Sequence, residues 1–98
     1  MTAYIVVTRE KTRDASLFQE YKDNVRSTLA AHGAVLLANQ GRHDVLEGPF
    51  AEGVTLLKFA TYEDALAWYH GEAYKDVSVP RLQGSDHRYV LFQGIDEI

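Results

Sequence analysis

An α+β fold, in the order strand, helix, strand, strand, helix, strand, follows from three features of this sequence. Runs rich in β-branched and aromatic residues recur along the chain. Between them lie two stretches whose apolar residues repeat with a helical period. Glycine and proline fall at the junctions, where a chain that changes direction needs them. Two helices that each follow a strand in this way pack on one face of a four-stranded antiparallel sheet, the ferredoxin-like arrangement.

The first strand is Tyr4-Ile5-Val6-Val7-Thr8, closed by the charged stretch Arg9 to Arg13. Asp14 to His32 reads as a helix, because Leu17, Tyr21, Val25, Leu29 and His32 share one stripe. Asp14 or Ser16 can accept its first free N–H groups, Ser16 with Gln19 has capping-box spacing, and Gly33 supplies a left-handed stop. Ala34 to Asn39 and Arg42 to Leu46 are extended. Gln40-Gly41 between them reads either as a hairpin turn or as a bulge in one long strand. The bulge is preferred, because Gly48-Pro49 with Gly53 is the better-marked turn.

Val54 to Ala60 is the next strand. Thr61 begins the second helix, with Asp64 at the capping-box position, an apolar side of Ala65, Leu66, Trp68 and Tyr69, and Gly71 as its stop. Glu72 to Gln83 is less regular, with Pro80 suited to the first position of a short helical turn. His87 to Gln93 is the last strand, and residues 1–98 form a single domain.

Composition excludes several classes of function. With 14 acidic against 10 basic residues, and the basic ones scattered, the chain has no phosphate-binding stripe. Nucleic acid and anionic membranes are therefore not expected partners. The absence of cysteine removes disulfides, thiolate nucleophiles and sulfur-bound zinc. The longest early apolar run, Tyr4 to Val7, is too short for a signal peptide or a membrane span, and a cytoplasmic location is the expectation. The histidines at 32, 43, 70 and 87 lack metal-ligand spacing. His43-Asp44 and Asp86-His87 are neighbours on strands, whose side chains leave opposite faces. Neither a metal nor a cofactor is called for.

Helices on one side of a sheet leave the other side open, and that side ordinarily turns polar. These strands are apolar on both. Ile5 and Val7 alternate with Tyr4 and Val6, and Val90 and Phe92 with Tyr89 and Leu91. An uncovered face of that kind is a large apolar patch, most simply covered by a second copy of the same sheet about a two-fold axis. A homodimer is expected.

Ala31-His32-Gly33, Gly41, Val45-Leu46-Glu47-Gly48-Pro49, Phe59, Ala65-Leu66-Ala67-Trp68-Tyr69, Tyr74 and Arg81 together resemble one bacterial family over nearly the whole chain. It is the domain of unknown function numbered thirteen-thirty, a branch of the dimeric α+β barrel superfamily. The resemblance implies a dimeric barrel and no established reaction. Wider superfamily members include cofactor-free monooxygenases, lactone isomerases and haem-degrading enzymes, which hold ligands between helices and sheet.

The candidate site residues each carry two readings. His32, at the end of the first helix, is either a proton shuttle or a cap on the last carbonyls. Glu47 is either a general base beside a cleft or the ion-pair partner of Arg81. Arg81 either binds a small anion through its guanidinium fork or serves as a structural cation. Tyr21, Trp68, Tyr69 and Tyr74 either line a small-molecule pocket or fill the core. Phe59 and Phe92 are assigned to the core. Together these residues point to a homodimer that binds a small, acidic organic molecule in a cleft between helices and sheet. Tyr21, His32 and Glu47 would handle protons in cofactor-free acid–base chemistry, and Trp68, Tyr69, Tyr74 and Arg81 would bind the substrate. The alternative is a non-catalytic structural or ligand-sensing dimer.

Overall fold

The computed structural model describes residues 1–95. In chain order the elements are β1 (Ala3–Thr12), α1 (Ala15–Ala30), β2 (Val35–Asn39), β3 (Gly53–Phe59), α2 (Tyr62–His70), α3 (Glu72–Gly84) and β4 (Ser85–Gln93). The strands form one antiparallel sheet in the order β2-β3-β1-β4, with the ferredoxin-like topology that the element order predicts.

Strand register sorts the side chains into two sets. Ile5 pairs with Leu57 and Leu91, and Val7 with Thr55 and Tyr89, so these residues share the face turned to the helices. There Ile5, Val7, Leu57 and Phe59 are buried with Phe18 and Leu29 of α1 and Trp68 of α2. Each such side chain contributes roughly 1.5–3 kcal/mol relative to exposure. Tyr4, Val6, Leu56, Val90 and Phe92 share the opposite face, where Val90 is 38% and Phe92 43% exposed. No helix of the described residues packs on that face, where the Tyr4 ring stacks 5.6 Å from that of Phe92.

Helix α1 starts where Asp14 accepts hydrogen bonds from the N–H groups of Ser16 (3.0 Å) and Leu17 (3.2 Å). The expected capping box does not form. Ser16 donates its hydroxyl to Asp14, and the Gln19 amide reaches forward to Asp23 at 2.8 Å. The buried side of the helix includes Phe18 and Thr28 as well as Tyr21 and Leu29. At the far end Gly33 has φ +66°, and the N–H groups of Gly33 and Ala34 close back on the Ala30 and Leu29 carbonyls. Thr61 caps α2 by accepting from the Asp64 N–H at 3.0 Å.

Several expectations about the elements are corrected, among them the close of the first strand, since β1 runs on through Arg9 to Thr12 in pairing with β4. Residues 40–46 do not extend the second strand. Gln40 takes φ 60°, which turns the chain out of the sheet after Asn39, and residues 40–52 form an irregular loop. The segment from Glu72 is a full helix, and Pro80 lies inside it instead of starting a turn. Its ring has no N–H to offer the carbonyl four residues back, but Tyr74, Ser78 and Arg81 give α3 a continuous buried side that outweighs that loss. Gly71 stops α2 in an extended conformation (φ −72°, ψ 156°), and so serves as the joint between α2 and α3.

Helix α3 ends hard against the start of α1. The Gly84 carbonyl accepts from the N–H groups of Arg13 (2.7 Å) and Asp14 (2.9 Å). A Cβ at Gly84 would lie 2.7 Å from the Leu17 Cβ, so only glycine lets the two helices meet there. None of the helices among the described residues is long and apolar enough to cross a membrane.

Candidate functional site

The helices do not seal the sheet completely. A cleft of about 260 Å³ runs beneath α1 and crosses all four strands, with Leu36 and Asn39 of β2, Leu57 of β3, Val7 of β1 and His87 and Tyr89 of β4 along its floor. Phe18, Val25, Leu29 and Trp68 make its apolar walls. Exposed Lys22 and Arg26 of α1 stand at its rim. Neither has an ion-pair partner among the described residues, whereas Asp23 beside them accepts from the Gln19 amide. A chain of net charge −4 thus presents a basic mouth to this cleft.

At the β4 end lies a triangle of phenols. The hydroxyls of Tyr21, Tyr74 and Tyr89 stand 3.0 Å from one another, with Tyr74 donating to Tyr89. Burial, followed by the neighbouring phenols, pushes the Tyr21 and Tyr89 hydroxyls far above the usual tyrosine range, so both stay protonated and act as hydrogen-bond donors. Beneath them the Arg81 guanidinium packs 4.7 Å from the centre of the Tyr89 ring and 5.8 Å from that of Tyr21. Arg81 is only 4% exposed, its Nε has no hydrogen-bond partner, and no carboxylate pairs with it among the described residues. Burial works against its charge, but the three tyrosine oxygens more than offset this and keep Arg81 cationic.

His87 stands beside the triangle, its ring 6.1 Å from that of Tyr89 and 5.5 Å from that of Phe18. Burial first, then Arg81 and Arg9, lowers its pKa to about 4, which leaves the imidazole neutral near pH 7. At the opposite end the Gln40 amide donates to the Thr55 hydroxyl at 2.8 Å, while its own buried oxygen has no partner. A second, smaller cavity of about 170 Å³ lies under α2, between Ala65, Leu66, Tyr69 and the β-strand residues Ile5 and Leu91. Tyr89 borders both cavities.

The residues singled out from sequence are distributed unequally over this geometry. Tyr21 and Trp68 line the cleft, and Tyr74 and Arg81 support it from behind. Tyr69 belongs to the smaller cavity, its ring 5.6 Å from Tyr89. Trp68 is fully buried and donates its indole N–H to Thr28 at 2.9 Å, which ties α2 to α1. His32 and Glu47 are not brought to the site. His32 lies in the turn after α1, where its backbone N–H, and not its ring, closes on the Leu29 carbonyl. Glu47 is exposed in the loop of residues 40–52, and the ion pair with Arg81 does not form. His87 was missed as a site residue. Adjacent strand side chains do diverge, so Asp86 and His87 cannot act as a pair, but His87 by itself is the member that faces the helices. The signal was its spacing of two from Tyr89 and four from Leu91 on an amphipathic strand.

Solved structures of low sequence identity share this fold. A protein of unknown function from Rhodopseudomonas palustris matches with a TM-score of 0.77 at 12% identity, over 98% of this chain and 84% of its own. A dimeric protein of unknown function and ferredoxin-like fold from Bacteroides fragilis matches with a TM-score of 0.65 at 11% identity, over 95% and 96% of the two chains. A mutant of SnoaB, a cofactor-independent oxygenase from Streptomyces nogalater, matches with a TM-score of 0.61 at 6% identity, over 99% and 95%. No curated protein matches the chain in sequence. A family model does, over residues 2–95, and by that match the chain belongs to the family described as domain of unknown function DUF1330.

Proposed function

We propose that this chain is a cytoplasmic homodimer that binds a small acidic organic molecule in the cleft beneath α1, where phenol hydroxyls and an imidazole can support cofactor-free acid–base chemistry. The observation that carries the reading is the cleft of about 260 Å³, apolar along its walls, with Lys22 and Arg26 at its mouth and buried Arg81 behind its phenols, none of the three with a carboxylate partner among the described residues. An organic acid fits each part: the walls take its hydrocarbon and Lys22 and Arg26 take its charge, while a phenol of the triangle can donate to it only by giving up a bond to its neighbour. Tyr21 remains a proton-handling candidate in this reading, Trp68 and Tyr69 remain walls, and Tyr74 and Arg81 position the other phenols. His32 and Glu47 have no part in it.

Dimerisation through the open sheet face is the second half of the proposal. Its support is the apolar row of Val6, Leu56, Val90 and Phe92, together with the dimeric state of the Bacteroides fragilis protein of the same fold. A cysteine-free chain suits a reducing compartment.

Calorimetric titration with benzoate, a small aromatic monocarboxylate, tests the pocket. Saturable binding that weakens at least several-fold in Lys22→Ala/Arg26→Ala supports it, and identical affinity in that variant removes the anionic reading. The structural alternative has one observation in its favour: the three phenols satisfy one another, and the Trp68 N–H is already spent on Thr28. Under that alternative Tyr21→Phe loses stability and no ligand affinity.

A further inference from the structure

We propose that the cleft takes its ligand as an acid, binding a carboxylate together with one proton, and that the proton goes to Nε2 of His87. This rests on the reading of the cleft as a small-molecule pocket and adds the protonation chemistry of its ligand.

Ser85 sets the starting state. Its hydroxyl donates to the Arg81 carbonyl at 3.2 Å, and His87 Nδ1 lies 3.2 Å from the same oxygen. A hydroxyl has one proton, so Ser85 accepts from His87 instead of donating to it. The neutral ring therefore carries its hydrogen on Nδ1 and keeps a lone pair on Nε2. Nε2 has no hydrogen-bond partner among the described residues, and it is the nitrogen of this cleft-lining ring that remains available.

The charges around the ring favour this bare state only while the cleft is empty. Arg81 faces it from α3, Arg9 opposes it across β1, and Lys22 and Arg26 reach over from α1. Asp86 and Glu52 pull the other way, each also paired with an arginine, Arg13 and Arg9 respectively, and Asp23 lines the cleft hydrogen-bonded to Gln19. Tyr21 and Tyr89 remain neutral phenols. Burial, Arg81 and Arg9 outweigh the two carboxylates and hold the His87 pKa near 4. A carboxylate entering the cleft reverses the balance, because a negative charge within a few ångströms stabilises the imidazolium. The proton comes from the ligand's own O–H or from solvent, the Nε2–H so formed donates to the carboxylate, and no other bond changes.

Benzoate is the probe. Titrating the whole protein at pH 6 in buffers of different ionisation heat should show uptake approaching one proton per benzoate bound. Affinity should fall on the order of tenfold per pH unit between the His87 pKa of the free protein, about 4, and its higher value in the complex, and level off above that. His87→Gln should bind benzoate with no proton uptake and a flat pH profile between 6 and 8. Binding without proton exchange in the unaltered protein, or uptake that persists in His87→Gln, overturns the coupling and leaves the pocket standing. Failure of benzoate to bind at all removes both. Nitrogen chemical shifts of His87 in the ligand-free protein give an independent check. A neutral Nδ1–H tautomer at pH 6 is expected, and an Nε2–H tautomer overturns the proposal.

Discussion

The two faces of the sheet are almost equally apolar, yet they are put to different use. On the helix side, Ile5, Val7, Leu57 and Phe59 are buried, and among them stand His87 and Tyr89, whose polar atoms are held by Ser85, Tyr21 and Tyr74. On the other side, Val6, Leu56 and Val90 form an apolar row with Phe92, flanked along the strands by Tyr4 and Lys58 at one end and Thr8 and Arg88 at the other. An apolar row bounded by polar side chains is suited to being covered, since burial is its main source of free energy. A face that sets hydroxyls and a lone pair among its buried hydrocarbon can also hold something. The difference lies in where the polar side chains stand.

The most disruptive way to break the comparison is to damage the helix side at its centre. Trp68→Ala should cost about 3–5 kcal/mol in chemical denaturation, the usual range for removing a buried aromatic ring, and it also strips Thr28 of its indole donor. Trp68→Phe should recover part of this loss but not the hydrogen bond. On the other side, Phe92→Glu should leave the fold intact, because the ring is already 43% exposed, and should halve the mass measured by sedimentation or light scattering. An unchanged mass would mean that the open face is not where two copies meet.

Smaller changes sharpen the contrast. Tyr21→Phe deletes one corner of the phenol triangle while Tyr74 and Tyr89 keep their mutual bond, so a loss of about 1 kcal/mol is expected from denaturant melts. A further effect is one of pH. The unfolded chain protonates His87 near 6.5 and the folded one only near 4. Between those values the unfolded state binds more protons, so stability is intact above pH 6.5 and declines as the pH falls towards 4. Melting temperatures at pH 7.5 and pH 5 should separate by a few degrees less in His87→Gln than in the unaltered protein.

Much of the frame was legible in the sequence because local chemistry specifies it. Asp14 and Thr61 begin helices, and Gly33 ends one with the positive φ that glycine permits. The topology followed from the order of elements. What escaped was decided by contacts distant in sequence. Pro80 reads as a helix start unless it is known that Tyr74, Ser78 and Arg81 bury one side of α3 and hold the helix together across it. Glu47 and Arg81 look complementary as residue types, but the loop of residues 40–52 leaves one exposed while α3 buries the other. Of the residues singled out by type and spacing, Tyr21 and Trp68 line the cleft and Tyr74 and Arg81 lie behind it, while His32 and Glu47 stand apart. Asp86 and His87 look like a pair in print, but the strand separates them and turns only the histidine inward.

Tyr89 bears a consequence for the size of molecule this architecture admits. Its ring borders both the cleft beneath α1 and the smaller cavity beneath α2. Exchanging it for a small residue should add room on both sides at once, so a single codon bears on the girth of guest the protein accommodates, without any change to the strands or helices that frame it.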